Sequence, residues 1–193
     1  MKRLAKMFMV TCVAALALAA VATGASAATF TASATGTLTG DQTTNQVFTV
    51  SEGGSSAVTC KKAHTSGTIV STAAATQEVT VSYSECTFAI FGFGNSAATV
   101  SSATYELHAN GESDVLNTIT ISVPSLGCKT TVKPQTGLKS VSFTNKSGKL
   151  EQSSAIKGIV STGEGFCPGG TTGTYTGSNL VERVGGGTLS FDA

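Results

Sequence analysis

Tryptophan is absent from this 193-residue chain, while proline (three), histidine (two) and charged side chains (12%) are scarce. Each shortage excludes something. The chain has only two arginines, Arg3 and Arg183, and its lysines are thinly spread. It therefore lacks the basic cluster that neutralises a run of phosphates or an anionic bilayer, and nucleic acid is not an expected partner. Disordered chains usually carry more charge or proline than this, so a packed structure is expected. No Gly-x-Ser-x-Gly elbow, His-Glu-x-x-His helix, phosphate loop or calcium loop is present. Carboxylates are scattered singly apart from Glu112 and Asp114, and no pair can be placed across a cleft as glycoside hydrolysis requires. The expectation is a non-enzymatic protein with no catalytic residue, cofactor or metal.

Long apolar runs are also missing. The one strongly apolar stretch, Met7 to Ala20, is 14 residues long, short of the roughly 20 that span a bilayer. Lys2, Arg3 and Lys6 precede it, and Ala25-Ser26-Ala27 follows with small residues at the positions signal peptidase reads. Residues 1–27 thus read as a helical secretory signal peptide cleaved after Ala27, and Cys12 is discarded with it. Residues 28–193 are expected to form one extracellular domain with no transmembrane span, secreted or held at the cell surface. Three of the 12 basic residues and none of the 11 acidic ones lie in the signal, so that domain carries a net charge of −2.

Four cysteines survive cleavage: Cys60, Cys86, Cys128 and Cys167. An even number in an exported chain reads as two disulfides, and the spacings fit no zinc pattern. Three connectivities are open. Cys60–Cys86 with Cys128–Cys167 is favoured because short-range pairs join neighbouring strands most simply.

What the chain has in abundance is threonine, serine, glycine and valine in period-two alternation. Thr29–Thr39 alternates almost perfectly, with Phe30, Ala32, Ala34, Gly36 and Leu38 on one face, until Gly40-Asp41 turns the chain. Further strands are predicted at 46–50, 57–63, 67–73, 77–85, 88–93, 98–109, 117–123, 129–133, 139–144, 156–162, 174–183 and 188–191. Turn signals fall between them at Gly53–Ser56, Asn110-Gly111, Ser147-Gly148, Gly169-Gly170 and Gly185–Gly187. No helical stripe follows the signal. The fold class is all-β: a single-domain antiparallel β-sandwich or Greek-key barrel with two disulfides.

Two places could carry function. Thr104, Glu106 and His108 share one strand face, so Glu106 and His108 could form a carboxylate–imidazole pair or two ligands of a metal; a solvated face is the favoured reading, because a metal site needs further ligands that the sequence does not supply. The run Phe88–Gly94 concentrates large apolar side chains. Phe88, Phe91 and Phe93 form either a buried strand or a protruding binding tip for a lipid, glycan or partner.

The segments Thr29–Gly40, Val58–Cys60, Gly67–Thr72, Glu85-Cys86, Gly127-Cys128, Gly137-Leu138 and Arg183–Phe191 together resemble a group of uncharacterised exported proteins from actinobacteria. That group has no assigned activity to carry over. About a third of the chain, from its start through the first cysteine and the Ser/Thr strands, is similar to a bacterial family named as activators of alkane oxidation. This second resemblance implies an extracellular setting only. The final alternating strand is similar to those of pilus subunits, but the second disulfide departs from their pattern. The expected role is structural or surface-associated, through self-association or cell-surface components. The alternative is a soluble binding module for a small apolar ligand, glycan or protein.

Overall fold

The structure, a computed structural model, describes residues 27–50, 56–90 and 94–193. The all-β, antiparallel class with two disulfides holds. Among the described residues eight long segments follow one another. They are β2 (Gly36–Gln42) with β3 (Gln46–Thr49), then β4 (Ser56–Ile69), then β6 (Thr76–Ile90), then β7 (Gly94–Val100) with β8 (Ala103–His108). Next come β9 (Glu112–Val115) with β10 (Ile119–Val123), β11 (Cys128–Val132) with β12 (Gln135–Lys139), β14 (Lys149–Glu164) and β15 (Gly170–Arg183). Each segment lies beside its chain neighbours, and β15 returns to pair with both β2 and β3. The ladder therefore closes on itself in up-and-down order, without a Greek-key crossover.

The closure is incomplete at one place. Where β12 and β14 splay apart, β13 (Val141–Lys146) pairs with the first half of β14, and the Gln135 carboxamide stands in for a ladder rung. It accepts from the Val160 N–H at 3.0 Å and donates to the Val160 carbonyl at 3.2 Å. A separate three-stranded sheet, β16 (Leu189–Asp192), β1 (Thr29–Ala32) and β5 (Ala73–Ala74), joins the two ends of the described domain. Its Phe30 and Phe191 pack with Phe143 of β13, the Phe30 and Phe143 rings meeting edge-on at 4.7 Å.

Several strands differ from the sequence reading, each for a physical reason. The alternation over Thr29–Thr39 is not one strand: it bends at Ser33–Thr35, so Phe30 and Leu38 are buried in different sheets. Gly40-Asp41 is no turn but lies inside β2, where a side chain at Gly40 would strike the backbone of Leu180 and Val181. Residues 57–63 and 67–73 belong largely to a single strand, β4, because Gly67 is a close approach and not a stop. A methyl there would meet the Glu78 carbonyl at 2.7 Å. Likewise 77–85 and 88–90 form one strand, β6. The short polar strands β9 and β12 and the first half of β14 went unread.

The long strands β4 and β6 also change face midway. Val58 and Cys60 point inward, then Ala63 and Thr65; on the partner Cys86 and Phe88 point inward, then Tyr83 and Val81. Alternation slips by one residue on both strands at once, at Lys61-Lys62 opposite Ser84-Glu85, so the pairing register survives. Glu85 takes a positive φ of 52° to make this slip, and the Cys60–Cys86 disulfide lies at its edge. The second disulfide, Cys128–Cys167, ties the start of β11 to the loop after β14. Both pairs are the favoured ones.

Candidate functional site

The barrel's interior is filled. Inward residues of every segment form one apolar cluster, and through it runs a chain of hydrogen-bonded polar side chains. The phenols of Tyr83 and Tyr105 meet at 3.0 Å, and Tyr83 also donates to Tyr175 at 3.4 Å. Tyr175 donates to the Gln46 carbonyl oxygen at 2.6 Å, Gln46 to Asn179 at 3.2 Å, Asn179 to Gln152 at 3.0 Å, and Gln152 to Ser154. Gln46 and Asn179 are buried to 0% and 2% exposure. Unpaired amides at that depth would be costly, and the chain of bonds removes the cost. Burial pushes the Tyr175 phenol up to about 12, against a hydrogen bond from Tyr83 that pulls it down. Burial raises Tyr83 too, reinforced by Tyr105 and Tyr175, and it raises Tyr105, reinforced by Tyr175 against a hydrogen bond with Tyr83 that pulls it down.

The spaces left inside are small; a larger open recess of about 680 Å³ lies on the outer wall, lined by Asp41, Gln42, Lys61, Lys62, His64 and Ser82. One apolar cavity of about 30 Å³ lies between Phe48, Ile121, Val132, Ile156 and Tyr175. Another of about 30 Å³ lies near Leu38, Thr65, Leu107 and Phe143. Neither admits a molecule of metabolite size, since small-molecule sites run to several hundred Å³.

Both histidines lie on the outer wall. On adjacent β2 and β4, His64 Nδ1 is 2.9 Å from Asp41 Oδ1, and its Nε2 is 3.3 Å from Thr39 Oγ1. Hydroxyl, imidazole and carboxylate thus stand in the order of a hydrolytic relay. The site is open to water: the His64 and Asp41 side chains are 53% and 83% exposed, and the backbone of these residues is committed to the β2–β4 ladder.

The second histidine is the one singled out from the sequence. Glu106 and His108 do share the outward face of β8, with His108 Nε2 at 4.0 Å from Glu106 Oε2. The structure adds Asp114 from β9, whose Oδ2 lies 3.2 Å from the same nitrogen. In the sequence Asp114 stands out only as a carboxylate close to Glu112. The unread strand β9 hid this third group, although an acidic residue in alternation (Glu112, Asp114) was the signal that could have revealed it.

Of the candidate tip, Phe88 is a core residue at 2% exposure, packed on the inward face of β6 where alternation places it beyond the slip. The buried-strand reading, the favoured one, therefore holds for Phe88, and its place in the candidate tip is corrected. Phe91 and Phe93 lie outside the described residues. The exposed aromatic that sequence reasoning passed over is Phe166, 85% exposed in the loop held by Cys167.

Disulfides of this kind suggest an oxidising, extracellular environment, and among the described residues no helix is long and apolar enough to cross a membrane. No family model, no curated protein and no solved structure matches the chain.

Proposed function

We propose that the protein is exported and acts as a non-enzymatic structural or surface-associated β module, working through its outer wall. The observation that carries this reading is the filled interior: aromatic rings and a bonded polar chain occupy the space where an eight-segment barrel would otherwise hold a ligand. What is left for interaction is the outside, where Thr37, Thr39, His64, Ser66, Thr80 and Ser82 present hydroxyl and polar groups on paired strands. Export is supported by the basic head, apolar core and Ala25-Ser26-Ala27 at the start of the sequence. The rival, a binding module for a small apolar molecule, has the cavity beside Phe48 and Tyr175 in its favour, but about 30 Å³ must grow several-fold to admit one.

The test is to follow the secreted protein by N-terminal sequencing, cell fractionation and light scattering over a concentration series. A first residue of Ala28, recovery from the cell surface and growth into ordered oligomers are the expected results. A strictly monomeric protein absent from the surface overturns the structural reading.

A further inference from the structure

Glu106, His108 and Asp114 bring two carboxylates and one imidazole together from two adjacent strands. One ligand atom from each lies within 4.8 Å of the others. We propose that they bind a borderline divalent transition cation such as Zn²⁺, through His108 Nε2, Asp114 Oδ2 and Glu106 Oε2. The donor set decides the class: an imidazole nitrogen with two carboxylate oxygens suits zinc and its neighbours, whereas calcium and magnesium take oxygen alone.

Three features of the fold favour a cation here. Glu78, Glu106 and Asp114 stand directly opposite one another across β6, β8 and β9. Like charges in register across a sheet repel, so the row is a standing cost that a bound cation offsets. Five other glutamates among the described residues are matched by lysine: Lys62 with Glu85, Lys129 with Glu164, Lys139 with Glu112, Lys146 with Glu151 and Lys149 with Glu182. Beside Glu106 and Asp114 the matching group is an imidazole instead, a metal ligand. Finally, Asp114 is already aimed. Its Oδ1 accepts the Gly137 N–H at 2.7 Å, which leaves Oδ2 facing His108 and fixes the carboxylate as outer-shell partners fix metal ligands.

The three side chains are between 16% and 37% exposed, and Glu106 is the most open. Its flexible chain has only to close by about 1 Å to bring all three atoms to bonding distance. Three protein ligands leave a tetrahedral ion one position open toward solvent, which water or a donor from another molecule can take.

Calorimetric titration of Zn²⁺ into the chelator-treated, oxidised protein tests this. One ion per chain is expected, weakened at least about tenfold by His108→Ala and by Asp114→Asn, and unchanged by Glu164→Gln. Asp114→Asn keeps an oxygen for Gly137, so its loss of binding with an unchanged circular dichroism spectrum is not a folding effect. Glu106→Gln, farther from any core contact, is the second variant should either of those misfold. No saturable binding, or binding that survives His108→Ala and Asp114→Asn, or equal weakening by Glu164→Gln, overturns the proposal.

Discussion

Gly177 shows how tightly single residues fix the interior. It faces inward on β15, and a methyl group added there would overlap the carboxamide of Gln46. Gly177→Ala must push Gln46 aside and break its bonds to Tyr175 and Asn179. A loss of about 2–4 kcal/mol in urea unfolding is expected; a neutral result would mean that Gln46 has an alternative seat. Phe88 makes the complementary case. Phe88→Ser should cost about 4–5 kcal/mol, because it opens a cavity and buries a hydroxyl, and thermal unfolding will report it. A folded, fully stable Phe88→Ser protein would contradict its place in the core. The inward position of Phe88 was one of two readings that the sequence left open. The meeting of Asp114 with His108 was not open in the same way, because the alternation of Glu112 and Asp114 marks a strand without saying which neighbour it will join.

At the scale of elements the two disulfides do different work. Cys60–Cys86 joins strands already paired along most of their length, at the point where both change face. Cys128–Cys167 holds a loop whose other ties are a backbone bond from Cys167 to Glu164 at 3.3 Å and one from Thr130 Oγ1 to Pro168 at 3.1 Å. Replacing Cys60 and Cys86 by alanine is expected to lower global stability by about 3–4 kcal/mol. Replacing Cys128 and Cys167 should in addition loosen the loop locally, so that chymotrypsin cuts after the exposed Phe166 faster than in the parent protein. Equal cleavage rates would show that the loop is held without its disulfide. The turn between β13 and β14 was legible, and Ser147 and Gly148 both take the positive φ (51° and 81°) that a two-residue turn demands; the first half of β14 that follows it was not. The bend at Ser33–Thr35 was not, because alternation reads the same through a change of sheet.

For the molecule as a whole, the tyrosine chain links alkaline pH to stability. Tyr175 ionises near 12 when folded and near 10 when unfolded. Its folded value is raised, so its contribution is fully present below about pH 10 and is lost as pH rises toward its folded value. Tyr83 and Tyr105, also raised, act in the same direction. Urea midpoints should therefore fall steadily above about pH 10. Tyrosinate absorbance should appear together with unfolding and not before it. Tyrosines that titrate freely near 10 in the folded protein would contradict the buried network.

The sequence by itself determined the all-β class, the antiparallel habit and the favoured cysteine pairs. These follow from local facts: side chains alternate along every strand, turns need particular residues, and an even set of cysteines in an oxidising setting pairs. Tertiary structure alone decided the closed up-and-down order, the face change on β4 and β6, the polar chain through the core and the meeting of Asp114 with Glu106 and His108. Each of these depends on which strand lies beside which. Alternation sorts residues onto faces but carries no label for the neighbour across the ladder.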